Sequence, residues 1–238
     1  MPNRRLACLL LLLTTTLPFA ASAQRQPLTP AQIKLEALAQ DTQRMSSEDD
    51  GLELVWWLVW WLPSVYWDAA ANSSGLPASS KAEFLKAFDG YVMVAVVQGK
   101  MGLVGVDRFL DAEEALAGLQ LVDTSGKAHK ALRDEQIPAQ LRTMLAVMKP
   151  ILANMIGPMG TNMHFAVFKD RDAKGKPFFD PLGSGWMKVI TNRNTHAFRL
   201  PLGSLLAPQQ DPANGDVFPG DYLYSPYTGA PLKSAPQP

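Results

Sequence analysis

Cysteine is nearly absent: the 238 residues contain one, Cys8. It lies inside the N-terminal apolar run, with too little sequence before it to be a lipid-attachment site. Past residue 8 there is no thiol nucleophile, no cysteine metal ligand and no disulfide, although exported domains that need staples commonly carry them. A hydrophobic core has to supply the cohesion. Histidine is scarce too, with only His129, His164 and His196. No H-E-x-x-H zinc pattern or phosphate loop is present, and Gly183-Ser-Gly185 lacks the spacing of a G-x-S-x-G elbow. Ser-x-x-Lys is also missing, since Ala78 stands three residues before Lys81. An excess of positive charge is lacking as well: 22 Lys and Arg balance 22 Asp and Glu. That balance argues against a nucleic-acid surface, so no nucleic-acid partner is expected.

A long apolar run is missing too. The run from Leu6 to Leu13 is well short of the roughly 20 apolar residues that span a bilayer. With Arg4 and Arg5 before it and Ala21-Ser-Ala23 after it, it reads as a secretory signal peptide over residues 1–23, cut between Ala23 and Gln24. The expected product is a periplasmic or secreted chain with no transmembrane anchor and no cysteine. Beyond the cut, the pattern divides into an N-terminal helix and linker (24–50), an α+β domain (51–207) and a loop-rich tail (208–238). The expected architecture is a single α+β domain, a mostly antiparallel sheet with helices packed on one face.

What the chain does have is tryptophan, concentrated in Leu54-Val-Trp-Trp-Leu-Val-Trp-Trp-Leu62. Nine apolar, aromatic and β-branched residues ended by Pro63 suit a strand covered on both faces. Leu54, Trp56, Leu58, Trp60 and Leu62 would face one way, and Val55, Trp57, Val59 and Trp61 the other. An interfacial membrane helix would carry a basic face, whereas the nearest charges, Glu53 and Asp68, are acidic. Pro63 also suits the first turn of a helix carrying Tyr66 and Trp67.

Elsewhere, Thr29-Pro-Ala-Gln32 is a capping box that predicts a helix, ended by Ser46-Ser-Glu-Asp-Asp-Gly51. Lys81 to Phe88 reads as a helix, Asp111-Ala-Glu-Glu114 opens another, and an apolar stripe from Ile137 to Ile156 marks a longer one in which Pro150 predicts a bend. Tyr91 to Val97 reads as an interior strand, with a turn at Gly99 and a partner at Leu103 to Val106. Met163 to Lys169, Trp186 to Thr191 and His196 to Leu200 read as one antiparallel meander.

Four constellations are weighed for chemistry. Asp170-Arg-Asp172-Ala-Lys174-Gly175 opens like a calcium loop, but Lys174 and Pro181 stand where oxygen ligands belong, so a hairpin turn is expected. Met155, Met159, Met163 and His164 are soft ligands of the kind Cu(I) prefers, against which core packing is the plainer reading. His164 or His196 with Asp170 or Asp180 would be the acid and base of a hydrolase assembled in space. Tyr222-Leu-Tyr-Ser-Pro-Tyr-Thr-Gly-Ala-Pro-Leu232 has the cadence of the last knuckle of a zinc ribbon, with serine in place of cysteine and no cysteine pair upstream. No cofactor is expected. The leading functional expectation is a non-enzymatic exported module that binds a protein or cell-envelope partner. A hydrolase and a periplasmic copper-binding protein are the alternatives.

Overall fold

Tryptophan-rich β2 (Leu54–Leu62) is the middle of the molecule, as its composition predicts. In the computed structural model, which describes residues 25–49 and 53–235, it lies antiparallel between β1 (Gln43–Asp49) and β3 (Tyr91–Gly102). The far side of β3 is shared by β4 (Gly105–Phe109) at one end and, beyond β5 (Gln120–Val122) and β6 (Ala128–Lys130) in sequence, by β7 (His164–Lys169) at the other. A second antiparallel sheet has the order β6, β5, β8 (Gly185–Ile190), β9 (Thr195–Leu200). The fold is α+β, with all strand pairs antiparallel.

The two-residue period of β2 sorts its side chains into two environments. Trp60 meets α1 (Leu35–Thr42) through a hydrogen bond to Thr42, and meets Tyr66 of α2 (Ser64–Ser73) edge to face at 5.5 Å. Helix α2 opens at Pro63, and its Trp67 stacks at 4.0 Å on Phe88 of α3 (Ala78–Phe88). Past the capped α4 (Ala112–Leu116), α5 (Ala139–Met155) joins this layer where the Tyr66 hydroxyl donates to the Met155 sulfur. On the opposite face, Trp61 meets Phe198 of β9 at 5.7 Å. The result is three layers: helices, the five-stranded sheet and the four-stranded sheet. Trp57, Trp60 and Trp61 are fully buried.

Several expectations are corrected. Thr29 and Gln32 do pair, but they close a single turn, and the helix starts at Leu35. The stretch taken as a linker in 24–50 is strand β1, whose Arg44, Ser46 and other residues extend the sheet. Gly99 is not a turn: β3 runs through it, and a Cβ there would lie 2.8 Å from Cγ1 of Val106 on the neighbouring strand. The chain reverses at Leu103-Val104, both fully exposed, with Gly105 at φ +140°. Pro150 sits inside α5 without ending it. The expected meander is divided, because β7 joins β3 while β8 and β9 pair in the second sheet. The signal segment, with Ala23 and Gln24, lies outside the described residues. No helix among the described residues is long and apolar enough to cross a membrane.

Residues 208–235 are mostly loop, and these loops are tightly bonded. Three two-residue strands, β10 (Gln209–Gln210), β11 (Val217–Phe218) and β12 (Lys233–Ser234), form a small sheet. Two turns, one on either side of β11 in sequence, share the same pair of backbone hydrogen bonds. In Asp211-Pro-Ala-Asn-Gly215, the Asp211 N–H donates to Asp216 O at 2.8 Å and the Gly215 N–H to Asp211 O at 2.9 Å. In Ser225-Pro-Tyr-Thr-Gly229, the Ser225 N–H donates to Ala230 O at 2.9 Å and the Gly229 N–H to Ser225 O at 2.9 Å. The two turns meet at the Asp211 carboxylate, which accepts from Ala213 N–H and from the Thr228 hydroxyl, both at 2.8 Å. These donors, with the Ser225 hydroxyl, hold its pKa below the ordinary carboxylate value.

Candidate functional site

A concavity of about 1390 Å³ forms a groove between the N-terminal segment and the stretch joining the twin turns. Arg25, Lys34, Asp41 and Arg44 line one wall. The other is built from Arg199 and Ser204 together with Phe218, Asp221, Tyr222 and Tyr224. The two strands of chain that make the second wall are joined by close backbone approach. The Gly220 N–H donates to Gly203 O at 3.3 Å, and a Cβ on Gly220 would collide with Leu206 and the Ala207 carbonyl. Tyr222, Leu223 and Tyr224 remain substantially exposed along the rim.

Both acids of the groove are engaged. Asp41 Oδ2 accepts from the Ser204 N–H at 3.0 Å and from its hydroxyl at 2.9 Å, while Asp221 pairs with Arg199. Arg44 is different. Its Nε donates to Ala197 O at 3.2 Å and its Nη1 to Asp41 O at 3.0 Å and Gln43 O at 2.7 Å, so its bonds go to carbonyls. The guanidinium lies 4.6 Å from the Phe198 ring centre. None of the ion pairs among the described residues includes it. Burial lowers its pKa from the usual arginine value, an effect that the Asp41 charge opposes.

A second, smaller cavity of about 220 Å³ lies beside Gln98, Lys100, Leu110 and Arg193. Gln98 is 1% exposed and its Oε1 has no hydrogen-bond partner. Lys100 and Arg193 share Glu53, at 2.5 Å and 3.6 Å.

The candidate catalytic and copper-ligating residues lie outside both cavities, whereas Tyr222, Leu223 and Tyr224 of the C-terminal knuckle line the groove. His164 Nε2 is 3.1 Å from Leu110 O, on the edge of the first sheet. His196, on β9, is buried and its Nε2 is unpartnered; burial, reinforced by Arg44, lowers its pKa from 6.5. Asp170 and Asp180 do come near one another, but the histidine beside them is His129. Burial pushes the Asp170 pKa up to about 6, with Asp180 adding to the effect against the Phe179 N–H, Arg171 and His129. His129 is bound to Asp123 at 2.7 Å, and its ring lies 4.4 Å from that of Phe178 and 5.0 Å from that of Phe179. Ser125 bonds to the same Asp123 at 2.5 Å, so hydroxyl and imidazole both meet the acid and not each other. That is not the relay order of a nucleophilic triad, where the imidazole lies between acid and hydroxyl.

The methionines are spread through the packing. Met163 is fully buried, Met159 packs against the core, and Met155 accepts from Tyr66. No group of three or more His, Cys, Asp or Glu among the described residues is placed to hold a metal. The Asp170–Gly175 loop is the expected turn: Asp172 Oδ1 accepts from Lys174 and Lys176 N–H, and Gly175 takes φ +80°. Groove residues such as Arg44, Arg199 and Ser204 escaped the sequence reading because they share no spacing and meet only in the fold.

Comparison of the chain with protein-family models, with curated proteins and with solved structures finds no match in any of the three, so function has to be read from the geometry.

Proposed function

We propose that the protein is an exported, non-enzymatic binding module, periplasmic or secreted, whose groove receives part of a protein or cell-envelope partner. The supporting observation is the groove itself. At about 1390 Å³ it exceeds the roughly 300–1,000 Å³ of small-molecule pockets, and its rim exposes Tyr222, Leu223 and Tyr224. Tyrosine gives large contact area with a polar tip at little entropic cost, which suits recognition surfaces. The basic start, short apolar run and Ala-Ser-Ala ending of residues 1–23 support export.

Envelope proteins crosslinked to the wild-type chain and to a Tyr222→Ala/Tyr224→Ala variant test the reading. The expected result is a specific partner captured by the wild type and lost by an equally stable variant. Equal capture by both would remove the groove from the proposal. Export is tested separately by the intact mass of the secreted chain, expected to begin at Gln24.

A further inference from the structure

We infer that the groove's occupant is an acidic polypeptide segment, one of whose carboxylates seats against Arg44. This deepens the binding reading and rests on it. Four cations line the groove, Arg25, Lys34, Arg44 and Arg199, against two acids, Asp41 and Asp221. Asp221 pairs with Arg199, and Asp41, bonded only to the neutral Ser204, keeps its charge; four cations against two acids still leave the lining positive. Arg44 sharpens the case. A guanidinium taken half out of water is costly; the Asp41 charge offsets part of that cost, but the hydrogen bonds of Arg44 go to neutral carbonyls and no carboxylate meets its fork. A carboxylate is the group its planar fork matches, and a charge-assisted bond is about twice as strong as a neutral one.

The apolar wall decides between polymers. Leu28, Leu206 and Phe218 lie beside the cations, with Tyr222 and Tyr224 at the rim. Alternating apolar and charged contacts fit a polypeptide, whose side chains alternate along an extended backbone, better than a uniformly charged phosphate chain.

The test is fluorescence anisotropy of the secreted full chain with a short labelled peptide of alternating glutamate and leucine, and with its glutamine counterpart. The glutamate peptide should bind saturably and the glutamine peptide about tenfold more weakly. High salt should shrink the difference, since rim charges are screened. Arg44→Gln should abolish the preference. Because Arg44 also ties down carbonyls, an Arg25→Gln/Lys34→Gln variant provides a second reading and should weaken glutamate-peptide binding several-fold. Equal binding of the two peptides would overturn the inference and leave the groove as a binding face. Binding of polyphosphate but of neither peptide would overturn it in favour of a phosphate polymer. If no probe binds, the inference fails. In that case, loss of partner capture in the tyrosine variant would show that the binding reading survives, and retained capture would show that both have failed.

Discussion

The two faces of β2 carry the same residue type into equal burial and treat its polar atom differently. Toward the helices, Trp60 Nε1 donates to the Thr42 hydroxyl at 3.2 Å. Toward the second sheet, the Nε1 atoms of Trp57 and Trp61 have no partner. Gln98, which is paired with Trp57 across the ladder, leaves Oε1 unpartnered on that same side. His196 and Asp170 add a neutral imidazole and a carboxyl of raised pKa near the second sheet. A helix end can offer a hydroxyl that is not consumed by secondary structure, because Thr42 bonds back to Leu38 O and still has lone pairs. A packed sheet has already used its backbone groups in its ladders. The sheet-facing layer is therefore held by apolar area, and the cost of its buried polar atoms is offset by that area.

Breaking either face should cost most. Trp57→Ala and Trp60→Ala should each destabilise by about 3–5 kcal/mol, read by chemical denaturation. A cost near zero at either position would mean the tryptophans are not the core. Next comes Asp170. Its folded pKa of about 6 exceeds the ordinary 3.8, so the folded state holds a proton that the unfolded state has lost between those values. Stability contributed by this group therefore falls as pH rises through that window, and the full penalty is present above it. Asp170→Asn should stabilise by roughly 2 kcal/mol at about pH 8 and by nothing at about pH 4. A pH-independent change would refute this account.

A smaller effect separates the two faces directly. Trp60→Phe should cost about 1 kcal/mol more than Trp57→Phe, because only the first breaks a hydrogen bond. Gln98→Met should cost less than about 1 kcal/mol, or stabilise, since it removes an unpartnered acceptor. His196 tilts the pH profile the other way. Its depressed pKa means that the unfolded state takes up a proton first, so this contribution is lost as pH falls below 6.5. Replacing it with Leu should flatten that acid limb in thermal melts.

Much of this architecture is legible in the sequence, for physical reasons. The two-faced pattern of Leu54–Leu62, the proline opening α2 and the capping box of α4 are local signals, and local forces decide them. β1 is illegible because an edge strand with Met45, Ser47 and Glu48 exposed to solvent has no apolar alternation to report. The separation of β7 from β8 is also invisible locally, since each strand pairs at long range. The groove shares this difficulty: Arg44 and Arg199 are far apart in the chain, and each alone looks like a surface charge. The upstream twin of the C-terminal turn was missed because Asp211 and Asn214 do not look like Ser225 and Thr228 until their bonding patterns are compared.

Those twin turns have a consequence for where the protein can live. Their junction is closed by one carboxylate and the hydroxyl and amide donors around it, all formed by folding alone. A clasp of that kind needs no oxidant to form it and no zinc to load it, and neither a chelator nor a reductant should open it. The segment carrying Tyr222 and Tyr224 stays shaped whatever the surrounding supply of metal and electrons, an advantage to any protein that must keep its grip in a compartment it does not control.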